Sequence, residues 1–150
     1  MNSSGFTLIE LMVTITVLAI IVGIAAPNIS SQLANQRVKS TAATFTSALK
    51  EARTESVIRR QEVTLSYKNN EKNVGVIEIK DGNSNPIASY QYDIKSEIKP
   101  DNKEITFRPN KTAGSSKNGY TVCDSNTATT SIHINVSKLG IVSSQSGGSC

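Results

Sequence analysis

The chain has 150 residues, of which 37% are apolar and 19% charged, and its formal net charge is +4. The apolar residues are concentrated near the start, where 16 of the 21 positions from Phe6 to Ala26 are apolar. Glu10 is the only ionisable side chain before Arg37, and the charges that follow Arg37 are scattered rather than clustered. These counts exclude an ordinary soluble protein, a collagen-like fibre and a disordered acidic tail.

The first predicted element is a long apolar helix. Residues 6–26 would span about 30 Å as a helix, which is the thickness of the hydrocarbon core of a bilayer. A helix satisfies its own backbone in lipid, so the segment favours a helix over a strand. An ordinary signal peptide is disfavoured because the run is too long, contains the carboxylate of Glu10, and continues through Pro27 into more helical pattern. A simple membrane anchor is the alternative.

The carboxylate of Glu10 is the exception within this apolar segment. A lone acidic residue costs about 2.5–3.5 kcal/mol at the centre of a membrane helix and less near its end. No Lys or Arg precedes Glu10, and the first one that follows is Arg37. The available positive charge is therefore an α-amino group, of the same chain or of a neighbour, if the chain is cut close to Glu10.

The segment from Gly5 to Leu11, Gly-Phe-Thr-Leu-Ile-Glu-Leu, resembles the prepilin signature of type IV pilins and type II secretion pseudopilins. The resemblance implies cleavage between Gly5 and Phe6 by a membrane prepilin peptidase, which also methylates the new amino terminus at Phe6. It implies that Glu10 neutralises the amino group of an adjacent subunit during assembly. The implied partners are other major and minor pilins, which contact the N-terminal helix, together with the peptidase and the assembly platform of the inner membrane.

The helix is predicted to continue beyond a kink at Pro27, because proline removes one backbone donor and clashes with the preceding turn. An apolar stripe with alternating spacings of four and three residues marks the second half of the helix. Its members are Val38, Ala42, Phe45, Leu49 and Ala52. We expect the helix to end between Val57 and Arg60. The chain is thus divided into a leader (1–5), a hydrophobic transmembrane and assembly helix (6–29), an amphipathic helix (30–60) and a β-rich head (61–150).

Short strands separated by turn residues are predicted for the head. The candidates are Glu62–Lys68, Val74–Lys80, Ile87–Ile94, Glu104–Arg108, Gly119–Asp124, Ser131–Ser137 and Leu139–Ser143. The turn cluster Asp81–Pro86 makes the second and third candidates an antiparallel hairpin. Strands of this length with short connections favour an antiparallel sheet over a βαβ arrangement.

The predicted fold class is α+β, with a long N-terminal helix packed on an antiparallel sheet, which is the pilin fold that the resemblance implies. The head contains few aromatic residues and the chain has no Trp, so we expect an aliphatic core. The Ser/Gly-rich segment Ser143–Ser149 is predicted to be a flexible tail.

Cys123 and Cys150 are the only cysteines. A head carried across the inner membrane reaches an oxidising space, so we expect them to pair. The bond would close a loop of about 28 residues and stabilise the head by about 3 kcal/mol. Free thiols and an intermolecular bridge are the alternatives. A metal site is disfavoured because two cysteines and the single His133, which is expected to face solvent, fall short of four ligands.

The second half of the chain is similar to the GspH/FimT domain. The similarity is carried by Ile105–Asn110, Tyr120–Cys123 and Ser131–Gly140. Members that bind DNA during transformation look to use a basic Gly-Arg tail, whereas Gly140 is followed here by Ile141. The tail, which is able to form a disulfide, is more similar to that of FimU-type minor pilins than to that of secretion pseudopilins.

The sequence therefore indicates a structural subunit and not an enzyme: a minor pilin at or near the tip of a type IV pilus (a fimbrium) that helps to prime assembly. The alternatives are a type II secretion pseudopilin and a DNA-binding minor pilin for natural transformation. Scattered charge disfavours a nucleic-acid partner. No catalytic residue, cofactor or metal site is predicted. We expect the protein in the bacterial inner membrane with its head in the periplasm, and then in the pilus fibre.

Overall fold

The computed structural model describes residues 6–71, 74–100, 104–114, 118–124, 130–147 and 150. One helix, α1 (Leu8–Arg59), precedes all of the strands. Thr7 caps its first turn, and Arg60 ends it in the left-handed conformation, donating its N–H to the carbonyl oxygen of Val57. The helix therefore ends where the sequence predicts, whereas the predicted leader lies outside the described residues.

The two halves of α1 have different surroundings. The stretches Leu8–Ile24 and Ile29–Arg59 are bent by 43° relative to each other, on either side of the position where the sequence predicts a kink. The large apolar side chains of the first stretch are exposed, and buried residues begin at Ala34. The predicted apolar stripe is confirmed, because each of its five members is at most 3% exposed.

Eight strands are described after the helix: β1 (Val63–Glu71), β2 (Val74–Asp81), β3 (Pro86–Tyr92), β4 (Ser96–Lys99), β5 (Ile105–Phe107), β6 (Asn118–Asp124), β7 (Ile132–Val136) and β8 (Val142–Ser146). They form two four-stranded antiparallel sheets. Sheet A has the order β3-β2-β1-β5, and sheet B has the order β4-β6-β7-β8. Strands of both sheets contact α1, so the predicted α+β class is confirmed.

The antiparallel pairing that the sequence predicts is present, and it is divided between two sheets. The predicted hairpin of β2 and β3 is present, with Ile79 opposite Ala88. The chain then turns at Asp93, whose Oδ1 accepts a hydrogen bond from the N–H of Lys95 at 2.8 Å, and the next strand pairs with β6 instead of β3. An alternating pattern does not encode which strand is the neighbour, so the sequence reveals neither β4 nor the change of sheet.

The last strand begins later than the predicted strand Leu139–Ser143. Ser137 donates its N–H to the carbonyl oxygen of Ile141 at 3.0 Å, and this turn delays β8 until Val142. The strand then occupies much of the predicted tail, Ser143–Ser149, part of which lies outside the described residues. Backbone pairing with β7 holds this polar segment in place. Because the pairing does not depend on apolar side chains, the sequence of the segment has no apolar alternation from which a strand could have been predicted.

The core is aromatic at its centre, whereas the composition predicts an aliphatic core. Phe45 of α1, Tyr67 of β1 and Tyr120 of β6 meet edge to face, with ring centroids 5.1 to 5.9 Å apart. Each of these residues is at most 2% exposed, and burial raises the pKa of the Tyr120 phenol. Such pairs contribute about 0.5–1.5 kcal/mol each beyond the burial of their area. One ring from each layer therefore joins the helix to both sheets.

A side-chain amide also joins the two sheets. Asn69 of β1 donates to the carbonyl oxygen of Ile98 in β4 at 3.0 Å and accepts from the N–H of Ile98 at 3.0 Å. The hydroxyl of Tyr92 donates to the same amide oxygen at 2.7 Å. Asn69 thus imitates the peptide group of a neighbouring strand, and it covers part of the backbone edge of β4.

Replacing Phe45 with alanine should lower the free energy of unfolding by about 3–5 kcal/mol, because it removes the ring that contacts both sheets and leaves a cavity. Chemical denaturation of the detergent-solubilised chain measures this loss. Leu139→Ala is the control, since Leu139 is 65% exposed and its truncation should change stability by less than about 0.5 kcal/mol. Equal stability of the two variants would contradict a core centred on Phe45.

Candidate functional site

The amino end of α1 is closed by a pair of polar side chains. The N–H of Glu10 donates to Oγ1 of Thr7 at 3.3 Å, and the Thr7 hydroxyl donates to Oε2 of Glu10 at 3.5 Å. Thr7 is absent from the predicted site residues, although Thr followed three residues later by Glu is the capping-box pattern and could have identified it. The carboxylate thus has a local role, since it also stabilises the helix through the helix dipole.

Apolar surface surrounds this carboxylate. Phe6 is 78% exposed, and twelve further large apolar residues between Leu8 and Ile24 are 50% to 78% exposed. No single described helix is long and apolar enough to cross a membrane, but the bent pair Leu8–Ile24 and Ile29–Arg59 passes the same test of length and composition together. Soluble proteins rarely expose so large a continuous apolar surface, so this one requires lipid or other apolar helices around it.

The described part of the chain brings no basic side chain to Glu10. Arg37 is the first in the sequence, 27 residues later, which corresponds to about 40 Å along the helix. Its Nε lies 2.8 Å from Oδ2 of Asp124, whose side chain is fully buried, and 3.9 Å from Oδ1 of Asp93. The hydrogen bond to Asp124 raises the pKa of Arg37. Arg37 is therefore paired within the head, and the described residues place no basic side chain beside Glu10.

The predicted cleavage point lies at the edge of the described chain. Gly5 is outside the described residues, and Phe6 precedes the helix cap. Thr7 is extended, with φ −84° and ψ 149°, so the chain enters the helix from a non-helical stretch.

Two of the segments that carry the domain similarity, Ile105–Asn110 and Ser131–Gly140, lie beside the last turns of α1. The hydroxyl of Ser56, which is fully buried, donates to the carbonyl oxygen of Arg108 at 3.1 Å. The N–H of Ala113 donates to the carbonyl oxygen of Lys138 at 3.1 Å. These contacts join the helix to the loops at one end of the head, so the segments have a structural role there.

The turn between β7 and β8 requires glycine at position 140. Its φ is +68°, and a Cβ atom would lie 2.4 Å from the carbonyl oxygen of Lys111 and 2.9 Å from Nε of Arg53. Arg53 in turn donates from Nη2 to the carbonyl oxygen of Leu139 at 3.3 Å. Gly140 of the domain pattern is thus explained by the close approach of Arg53 of α1 and the loop at Lys111 to the turn.

Cys123 and Cys150 form an intramolecular disulfide, with their Cα atoms 5.9 Å apart. Cys123 pairs with Glu97 across β6 and β4, and the carbonyl oxygen of Cys150 accepts a hydrogen bond from Nζ of Lys99 at 3.2 Å. The chain therefore returns from β8 to the strands on the other side of sheet B. The predicted pairing is the one that the structure contains, and neither alternative, free thiols or an intermolecular bridge, is present.

His133 is half-buried rather than open to solvent. Its Nδ1 lies 3.2 Å from Oγ1 of Thr121 on the neighbouring strand. Within the described residues, no three side chains of His, Cys, Asp or Glu lie close enough together to hold a metal ion.

Two family models match the chain. The prokaryotic N-terminal methylation motif matches residues 1–26, and the type II transport protein GspH matches residues 41–140, which is two thirds of the chain. The chain belongs to the GspH family. None of the curated proteins compared with it gives a significant match.

Two crystal structures of the type IV minor pilin FimU from Pseudomonas aeruginosa PAO1 are similar to this GspH-family chain. The structure in space group P65 has a TM-score of 0.59 and 16% identity, covering 75% of this chain and 98% of FimU. The structure in space group P21 has a TM-score of 0.61 and 15% identity, covering 77% and 96%. At these identities the likeness shows the fold, which is the pilin fold.

The family and the fold make this GspH-family chain a type IV pilin-like structural subunit and not an enzyme. Its methylation motif and exposed apolar helix are those of a membrane-anchored pilin that assembles with other pilins.

Gly140→Ala should lower the free energy of unfolding by about 1–3 kcal/mol, because alanine is strained at positive φ and its Cβ clashes with the Lys111 carbonyl oxygen. Gly82→Ala is the matched control, since its added Cβ would lie 3.5 Å from the nearest backbone oxygen, an ordinary contact. Thermal unfolding distinguishes the two variants, and similar melting temperatures would rule out the proposed close approach at Gly140.

Reduction of the disulfide should lower the stability of the head by about 2–4 kcal/mol, because the reduced chain regains the entropy of an open loop. Thermal unfolding of a soluble fragment that begins near Ser30 measures this, oxidised against reduced. A variant with both Cys123→Ser and Cys150→Ser is the control and should be insensitive to the reductant. Identical curves for the oxidised and reduced wild-type fragment would show that the bond does not stabilise the head.

Proposed function

We propose that this protein is a minor pilin of a type IV pilus, located at or near the tip, where it helps to prime assembly. The observation that carries the proposal is the exposed apolar half of α1, with Glu10 at its start and a folded head at its other end. A subunit of this shape covers its apolar surface only by packing beside other helices or in lipid. The fold shared with FimU, a type IV minor pilin, supports a pilus over other filaments.

Processing supplies the charge that Glu10 lacks. We propose that the prepilin peptidase of the inner membrane cuts between Gly5 and Phe6 and methylates Phe6. Phe6 then bears a positive amino group, which lies about 5–10 Å from Glu10 along the axis of the helix. A neighbouring subunit staggered by that distance brings its own amino group beside Glu10.

This pairing generates a filament and not a closed dimer. Each subunit offers Glu10 to one neighbour and its amino group at Phe6 to another, so the interface is heterologous. Heterologous contacts that do not close on themselves extend into helical assemblies. Removing Glu10 from lipid into an ion pair also relieves the cost of an isolated carboxylate in the membrane.

The boundaries of the functional parts follow from the same features. We propose a leader of residues 1–5, a membrane and assembly helix of 6–29, an amphipathic helix of 30–60 and a head of 61–150. Burial that begins at Ala34 supports the boundary after residue 29. A first strand that begins at Val63 supports the boundary after residue 60. The disulfide supports a head in the periplasm before assembly, since that compartment is oxidising.

A pseudopilin of a type II secretion machine is the second candidate. The family model described as type II transport protein GspH, which matches residues 41–140, favours it. The two candidates share the fold and the processing. They differ in the filament that receives the subunit, and therefore in whether deletion of the gene reduces piliation or secretion.

Deletion of the gene followed by electron microscopy tests the proposal. The deletion strain should carry fewer pili and secrete its exported proteins normally, and immunogold labelling of the complemented strain should mark pilus ends. Normal piliation with a loss of secretion would favour the pseudopilin, and label spread along the fibre would contradict a place at the tip.

The protein recovered from sheared pili should begin at N-methyl-Phe6 in mass spectrometry. Gly5→Leu should block processing, because the peptidase must accommodate the residue that precedes the cut, and Ser4→Leu is the neighbouring control that should be processed. An intact Met1 in assembled filaments would contradict this assignment.

Glu10→Ala should insert into the membrane but enter pili much less efficiently, because the amino group of the neighbour loses its partner. Glu10→Gln separates charge from shape and should have a similar defect. Thr14→Ala is the control, since the Thr14 hydroxyl donates within its own helix, to the carbonyl oxygen of Leu11 at 2.8 Å. Immunoblots of sheared pili and membranes measure both steps, and equal recovery of Glu10→Ala and wild type would remove the assembly role.

A further inference from the structure

The outer edge of β8 is an open strand edge in the described part of the head. At the opposite edge of sheet B, Asn69 covers the backbone of β4 through its two hydrogen bonds to Ile98. In sheet A, a bridge from Phe107 to Ala113 covers part of the edge strand β5. The other edge strand of sheet A, β3, begins with Pro86 and has an irregular register with β2 there, and both features protect an edge. By contrast, β8 pairs with β7 on one side and has no described strand on the other.

Two hydrogen bonds establish which backbone groups of β8 point outward. Ser137 donates to the carbonyl oxygen of Ile141 at 3.0 Å, and Gly147 donates to the carbonyl oxygen of Ser131 at 2.9 Å. Bonded and non-bonded pairs alternate along an antiparallel ladder, so residues 143 and 145 direct their peptide groups toward β7.

The outward groups therefore belong to Val142, Ser144 and Ser146. Each presents one N–H and one carbonyl group on the side away from β7. Natural proteins protect such edges with charges, proline or bulges. The sequence of β8, Val-Ser-Ser-Gln-Ser, contains no charge and no proline, and its register with β7 is regular from end to end. The outward backbone groups of this edge are therefore available to pair with another strand.

A groove beside this edge has room for the side chains of an added strand. It has a volume of about 380 Å³ and lies between α1 and sheet B, where the small side chains of Ala43 and Ser47 face Ile132 and Ser144. Lys39 is the one charged residue in its described lining. The groove therefore suits small apolar side chains, with a carboxylate near Lys39.

We propose that β8 binds an extended segment of a different, neighbouring pilin-type subunit as an added strand. The backbone of the segment pairs with Val142, Ser144 and Ser146, and its inward side chains enter the groove. In this mode of recognition the main chain gives affinity and alternate side chains give specificity. The inference rests on the proposed function, because the neighbour belongs to the same filament.

Pairing between the β8 strands of two copies of this chain is disfavoured by symmetry. Antiparallel pairing of two β8 strands places a two-fold axis perpendicular to the sheet, and this axis reverses every direction within the plane of the sheet. Since α1 lies along the face of the sheets, the apolar halves of the two helices would point in opposite directions. Subunits anchored in one membrane have parallel helices, so the added strand is not β8 of a second copy. Because a minor subunit at the proposed tip has other kinds of subunit as its neighbours, one of these supplies the strand.

Photo-crosslinking in cells tests this contact in the full-length protein. Benzoylphenylalanine replaces Gln145, an exposed residue of β8, and Asn83 in the distant β2–β3 turn is the control position. We expect an adduct from position 145 with another pilin subunit of sheared pili, mapped by mass spectrometry to an extended segment, and none from position 83.

A proline at position 144 tests whether backbone pairing produces the crosslinked adduct. Ser144→Pro removes an outward N–H and no bond to β7, and proline is tolerated on edge strands with this orientation. The adduct should decrease about tenfold, which corresponds to about 1.4 kcal/mol, whereas Ser144→Ala should retain it. Thermal unfolding verifies that the head is intact, and Ser146→Pro, with the same outward N–H, is the second variant.

Equal adducts from Ser144→Pro and Ser144→Ala would overturn strand addition, as would adducts between two copies of this chain. Recovery of the wild-type protein in pili without any adduct from position 145 would also overturn it and leave the pilus assignment intact. Absence of the wild-type protein from pili would overturn the proposed function together with the inference.

Discussion

The head depends on the contact of three aromatic rings. Phe45, Tyr67 and Tyr120 come from the helix and from one strand of each sheet, and each ring touches the other two. The rings lie within one buried cluster that draws aliphatic side chains from both sheets, and the amide of Asn69 adds a polar connection between the sheets. Because Phe45 projects from the apolar stripe of α1, the contact also determines which side of the helix faces the head.

The sequence could predict those features that depend on residues close together in the chain. The helix of the head follows from spacing, the β2–β3 hairpin from the turn cluster Asp81–Pro86, and the assembly segment from the signature around Glu10. The remaining features depend on residues far apart in the chain. That Tyr67 meets Tyr120, that β4 joins the second sheet, and that serine-rich β8 is ordered all require knowledge of the neighbour, which the pattern of a single segment does not contain.

Two carboxylates illustrate how the chain separates folding from assembly. The side chain of Asp124 is fully buried and has its cation, Arg37, within the same molecule, so its charge is satisfied once the head has folded. Glu10 lies at the other end of the helix with a local cap at Thr7 and no described basic side chain nearby. The first carboxylate stabilises the isolated subunit, and the second is the one that the proposed assembly pairs with the amino group of a neighbour.

The continuity of α1 has a mechanical consequence. A pull on the apolar half of the helix is transmitted along its axis into the segment between Ala34 and Ser56, which is packed against both sheets over its whole length. Such a load acts in shear, because the helix must slide past all of its side-chain contacts at once instead of peeling away from them one at a time. The bend of 43° sets the apolar half at an angle to the buried half, so a pull along the apolar half reaches the head with a component across the sheets as well as a component along the buried helix.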